Sequence, residues 1–96
     1  MKEGDFQASL IKELRDTFPG SIVLKNDPGY LQGVPDLLVL HKDKWATLEC
    51  KACEKSPHQP NQDYYVATMN NMSYSAFVCP ENKGDILNDL KQHFRV

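Results

Sequence analysis

Three features of the chain predict one α/β domain: helical and strand-like segments alternate, the apolar run Leu37-Leu38-Val39-Leu40 marks a buried strand, and proline–glycine clusters separate the segments. The predicted order is α-β-β-β-α-β-α across residues 1–96, a four-stranded mixed sheet flanked by helices. A first helix is expected from Glu3 to Thr17, where Phe6, Leu10, Ile11, Leu14 and Phe18 recur at helical spacing. Phe18-Pro19-Gly20 ends it. Ser21–Lys25 reads as a strand leading into the turn-rich Asn26-Asp27-Pro28-Gly29-Tyr30. Pro35–His41 is the second strand, and its unbroken apolar run predicts burial on both faces.

Lys42-Asp43-Lys44 reads as a hairpin turn into a third strand, Trp45–Ala52. Ser56-Pro57-His58-Gln59-Pro60 opens a second helix ending near Asn71, since proline is tolerated in a first helical turn. Ser73–Cys79 is the fourth strand, stopped by Pro80. The last helix, Asn82–Phe94, places Ile86, Leu87, Leu90 and Phe94 on one face.

Composition narrows the function classes. A chain of 96 residues builds one modest core and has no room for a separate dinucleotide-binding domain. Its apolar runs fall far short of the roughly 20 residues of a membrane span, and Met1-Lys2-Glu3-Gly4-Asp5 carries no apolar leader. A soluble, cytoplasmic protein is therefore expected. Three cysteines are an odd count in such a protein, which argues for free thiols rather than a disulfide framework. Eleven Lys/Arg against thirteen Asp/Glu give a net charge of −2, which disfavours a simple basic-patch binder of nucleic acid. It leaves open a site where bound metal supplies the positive charge.

The informative residues are polar ones where burial is expected. On the first helix Glu3 and Gln7 fall inside the apolar stripe, whereas Lys2, Asp5, Lys12 and Asp16 fall on the far side. A carboxylate aimed at a core needs a hydrogen-bond partner, a cation or a metal. A frayed first turn in which Glu3 only complements the helix dipole explains it equally well. Asp36 heads the apolar strand. On the third strand alternation puts Trp45, Thr47, Glu49 and Lys51 on one face and Ala46, Leu48, Cys50 and Ala52 on the small, core-side face. A cross-strand ion pair on a solvated face is the plain reading of Glu49 and Lys51; their place beside Asp36 favours a site. Gln62 shares the inward face of the second helix with Tyr65, Val66 and Met69. Gly33 suits a positive-φ turn that brings the chain onto the strand bearing Asp36.

Asp36 and Glu49 on neighbouring strands, with Glu3 nearby, make an oxygen-rich cluster suited to Mg²⁺ or Mn²⁺. Such an ion neutralises a phosphodiester and activates water. Lys51 would orient the attacking water and offset phosphate charge rather than act as a simple base.

Pro35-Asp36, twelve residues, then Glu49-Cys50-Lys51 resembles the PD-(D/E)XK nuclease superfamily. Glu3-x-x-Phe6-Gln7, Lys25-Asn26-Asp27-Pro28, Gln32-Gly33-Val34-Pro35-Asp36-Leu37 and Pro60-Asn61-Gln62-x-x-Tyr65 look like the small, stand-alone, phage-type members of the virus-type replication-repair nuclease (VRR-NUC) family. The likeness covers about residues 3–84. It implies a restriction-endonuclease-like fold and Mg²⁺- or Mn²⁺-dependent hydrolysis of DNA phosphodiesters in a phage or bacterial-host cytoplasm. It further implies Asp36, Glu49 and the Cys50 backbone carbonyl as metal ligands, Lys51 as the catalytic lysine, Glu3 as the first-helix acid and Gln62 as the helix polar residue of the site. Small members resemble Holliday-junction resolvases, so a homodimer on branched or four-way DNA is expected. The last helix and the Tyr64/Tyr74 region are its candidate interfaces. No strong basic arm is evident; Lys25, Lys42, Lys44, Lys55 and His58 are candidate DNA contacts bordering the cleft.

Two other function classes remain as expectations: a catalytically silent DNA-binding or assembly module on the same fold, and a nuclease acting on RNA or simple DNA ends. Zinc at Cys50-x-x-Cys53 is not expected, because only Cys79 and the scattered His41, His58 and His93 are left to complete four ligands. No glycine-rich phosphate loop is present, so no nucleotide cofactor is expected.

Overall fold

The computed structural model describes residues 1–96 and has the predicted element order. The elements are α1 (Glu3–Thr17), β1 (Ile22–Lys25), β2 (Leu37–His41), β3 (Lys44–Cys50), α2 (Pro60–Met72), β4 (Ser75–Val78) and α3 (Lys83–Phe94). The strands lie in the order β1-β2-β3-β4. The first two pairings are antiparallel and β3–β4 is parallel. A parallel neighbour needs a crossover connection, and α2 supplies it. The third strand is shorter than expected: it begins at Lys44 and releases the chain after Cys50, so Lys51 and Ala52 start the loop to α2.

One sheet face carries the core. Leu37 and Val39 stand opposite Leu48 and Ala46, and with Val23, Cys50 and Val78 they pack against Phe6, Leu10, Leu14 and Phe18 of the α1 segment and Ile86, Leu87, Leu90 and Phe94 of α3. Burying each large side chain in such a cluster is worth roughly 1.5–3 kcal/mol.

The other face is covered by α2 only over β3 and β4. Thr47, Glu49 and Ser75 are buried there, and Thr47 Oγ1 donates to Ser75 Oγ at 2.8 Å. The face read as polar on β3 is therefore interior rather than solvated. Coverage stops short of β1 and β2: Leu38 and Leu40 are half-buried, and Ile22 and Leu24 on the edge strand are exposed. Burial of β2 on both faces is thus realised fully on one side and partly on the other. Tyr74 packs against the core and donates to Asp89 Oδ2 at 3.1 Å, so it is committed to α3 rather than free for an interface. No helix is long and apolar enough to cross a membrane.

Candidate active site

Asp36 and Glu49 meet because of strand register. Leu37 pairs with Leu48, so one further step places Asp36 opposite Glu49, with both side chains on the α2 face. The approach to β2 is fixed by Asn26. Its backbone N–H donates to Asp36 O at 2.8 Å, and its side-chain amide donates to Pro35 O at 2.8 Å. Asp36 Oδ2 accepts the backbone N–H of Cys50 at 2.9 Å, which orients the carboxylate toward the end of β3.

Glu49 is 3% exposed. Burial first, then the neighbouring Asp36 carboxylate, push its pKa up to about 8 against the pull of Lys51; a hydrogen bond with Asp36 and the more distant Glu3 add to the rise. The same environment acts on the Cys50 thiol, pushed up to about 12 chiefly by burial, then by Asp36 and Glu49. A thiol so held is a packing group and not a nucleophile. Neither ion pair in the molecule, His58–Asp63 or Lys83–Glu13, involves Asp36 or Glu49. Two carboxylates are therefore crowded together with no side-chain cation in direct contact. This is the donor chemistry a hard divalent cation fits, because the ion's charge offsets both the burial and the Asp36 repulsion that raise Glu49.

Glu3 stands on the exposed first turn of α1. It is the weakest of the influences that raise Glu49, and no three His, Cys, Asp or Glu side chains gather around one point. The expected third carboxylate thus lies at the margin, on the exposed first turn of α1. Gln7, one turn further, is near enough to the Cys50 thiol to offset part of the rise in its pKa.

Gln62 ties the site together. Its Oε1 accepts from Lys51 Nζ at 2.8 Å and from the Gln59 backbone N–H at 3.0 Å, while its Nε2 donates to Glu49 Oε2 at 3.2 Å. The helix explains the geometry. Pro60 occupies the first position of α2, so Gln62 is the third and folds back on the N-terminus as in a capping box. Lys51 is 7% exposed, and its ammonium also donates to Pro57 O at 3.0 Å.

Two cavities flank this bridge. A cleft of about 190 Å³ contains Asp36, Glu49 and Gln62, walled by Pro28, Gln32, Gly33 and Asn61. A second, of about 130 Å³, contains Lys51, His58 and Phe77. Glu49 and Lys51 were expected to project into one space; they open on different cavities because the chain leaves the strand at Cys50.

Of the candidate DNA contacts, His58 lines the smaller cavity, stacked on Phe77 at 3.8 Å between ring centroids and paired with Asp63 Oδ1 at 2.9 Å. Lys25 and Lys55 are exposed and line neither cavity. Lys42 and Lys44 sit at the β2–β3 hairpin, the opposite end of β2 from Asp36. At the usual strand rise that is roughly 20 Å away, so they do not border the cleft.

Sequence reasoning gave no role to Asn26 and Asn61, which stood only inside the strings of the family likeness, and it missed Phe77. Gly33 has φ 92° as expected, and a Cβ there would meet Asn61 side-chain atoms at 2.7 and 2.8 Å. Asn61 Nδ2 also donates to Gln32 O at 3.2 Å. The glycine signalled the turn, but its partner across the cleft had no local signature. Compared with protein-family models, curated proteins and solved structures, the chain matches none.

Proposed function

We propose that this protein is a metal-dependent DNA endonuclease that hydrolyses phosphodiester bonds, acting as a homodimer on branched DNA. The observation that carries the reading is the bridge Glu49–Gln62–Lys51 beside Asp36: two crowded carboxylates and a buried ammonium locked to one amide. A surface ion pair needs neither this burial nor this bridge. The Pro35-Asp36…Glu49-Cys50-Lys51 pattern that looks like the PD-(D/E)XK superfamily supports the same assignment.

Asp36 and Glu49 would hold Mg²⁺ or Mn²⁺, with the Cys50 backbone carbonyl as a third oxygen; when bound, the ion neutralises phosphate charge and lowers the pKa of its water. Asp36, oriented by Cys50 N–H, sets the position of the pair. Lys51 lines the neighbouring cavity, with two of its ammonium donors held by Pro57 and Gln62, and would offer the remaining donor to the phosphate and to the attacking water beside the Gln62 bridge. Gln62 is a positioning residue, keeping ammonium and carboxylate at fixed separation.

A second copy of the chain is the proposed partner for the exposed Tyr64 and Met72 of α2. A two-fold dimer presents two matched sites to the two strands of a symmetric junction. Titration calorimetry with Mn²⁺ tests the reading. The account expects one or more sites on the wild type and a loss of affinity of about 10-fold or more in Asp36→Asn. A protein that binds no Mn²⁺ contradicts it and favours a silent DNA-binding module.

A further inference from the structure

The loop between β1 and β2 is built rather than loose. Asp27 Oδ1 accepts the Gly29 N–H at 2.8 Å, and Asp27 O accepts the Tyr30 N–H at 3.2 Å. Val34 N–H closes on Leu31 O at 3.3 Å. Asn26 and Asn61 pin its two ends to Pro35 O and Gln32 O, and Gly33 leaves no room for a side chain against Asn61. Pro28, Gln32, Gly33 and Val34 from this loop wall the carboxylate cleft. Between Pro28 and Gln32 in the chain, though not themselves part of the cleft wall, stand Tyr30, which at 89% exposed is the most exposed aromatic of the chain, and the exposed Leu31. Holding a large aromatic ring in water on a pinned loop stabilises nothing in the monomer.

Charge limits what that ring is for. The chain carries a net charge of −2, and Lys25 and Lys55 line neither cavity. Phosphate contacts from lysine and arginine, the usual source of nucleic-acid affinity, are sparse around this cleft. Stacking on an aromatic face is the other general source, is independent of charge, and needs a base that has left the duplex stack.

We propose that Tyr30 is a stacking platform for an unpaired nucleobase of single-stranded or branched DNA, on the loop that walls the Asp36–Glu49 cleft. This rests on the nuclease reading and names the substrate feature that reading leaves open: the strand entering the cleft is unpaired next to the bond to be cut.

The test measures binding of a fluorescein-labelled single-stranded DNA 12-mer, and of the same sequence as a paired duplex, by anisotropy in Ca²⁺. The wild type, Tyr30→Ala and Tyr30→Phe are compared. Tyr30→Ala is expected to weaken single-strand binding about 10-fold or more while leaving duplex binding unchanged. Tyr30→Phe, which keeps the ring and loses the hydroxyl, is expected to bind as the wild type. Equal binding by Tyr30→Ala, or equal losses on both probes, overturns the proposal. Cleavage assays and Mn²⁺ calorimetry on the same preparations separate the two levels. A Tyr30→Ala protein that binds, cleaves and takes up Mn²⁺ as the wild type removes the platform and keeps the nuclease; a wild type that binds neither DNA nor Mn²⁺ removes both.

Discussion

Lys51 and Glu49 do not touch as an ion pair; the Gln62 side chain stands between them, accepting from the ammonium at 2.8 Å and donating to the carboxylate at 3.2 Å. A direct pair would neutralise Glu49 within the protein. An amide bridge fixes both groups and leaves the carboxylate crowded against Asp36, available to an external cation.

Gln62→Ala removes three hydrogen bonds, one of them at the α2 N-terminus. Destabilisation of about 1–2 kcal/mol is expected, seen as a drop in Tm of roughly 5–15 °C. Because Gln62 positions Lys51 without holding the metal, kcat is expected to fall about 10- to 100-fold with Mn²⁺ affinity nearly unchanged. Steady-state kinetics beside Mn²⁺ calorimetry reads the split; a change in KM alone contradicts the positioning role.

Glu49 makes stability and metal binding depend oppositely on pH. Its pKa rises from an ordinary 4.5 to about 8 in the folded protein. Between those values the native state binds more proton than the unfolded chain, so this group's contribution is fully present below about pH 4.5 and is lost as pH rises through about 8. Thermal melts of the metal-free protein should show its stability falling across that window, once the histidines are accounted for by variants. A metal ion competes with the same proton, so Mn²⁺ affinity should strengthen over the same range, with proton release visible as a buffer-dependent calorimetric heat.

Asp36→Asn separates crowding from ligation. The asparagine Oδ1 still accepts the Cys50 N–H, while the like charge that raises Glu49 disappears. Metal-free protein should therefore melt higher near pH 7 than the wild type, even as Mn²⁺ affinity and cleavage fall together. A variant that melts lower at that pH contradicts the crowding argument.

Much of this was legible in the chain. Helix spacing marked Phe6, Leu10, Leu14 and Phe18, and alternation put Glu49 and Lys51 on the face away from Leu48. Gly33 announced a positive φ. The burial of Glu49 was not legible, because it depends on where α2 crosses the sheet, and no local pattern records that. The same holds for the different cavities of Glu49 and Lys51: a strand that ends at Cys50, two residues earlier than its alternation suggests, redirects every side chain beyond it. Lys42 and Lys44 were misplaced for a simpler reason, since proximity in sequence to a strand says nothing of which end of it faces the cleft.

Gly33→Ala tests the cleft wall. The substitution forces a Cβ into a φ of 92° and into contact with Asn61 at under 3 Å. A loss of about 1–2 kcal/mol, or roughly 5–15 °C in Tm, is expected. Cleavage should fall further than stability explains, because the same loop leads into Asp36. Activity that simply follows the folded fraction contradicts a role for the loop in placing that carboxylate.

The central claim is that Asp36, Glu49 and Lys51 form a hydrolytic centre for DNA. The most direct measurement is Mg²⁺-dependent cleavage of labelled four-way junction, flap, duplex and single-stranded DNA by the wild type and by Lys51→Ala. The account predicts cleavage of branched substrate, with paired symmetric nicks on the junction, that is abolished in Lys51→Ala while its fold and Mn²⁺ binding persist. No cleavage of any substrate by folded wild-type protein in Mg²⁺ or Mn²⁺, or equal turnover by Lys51→Ala, contradicts it.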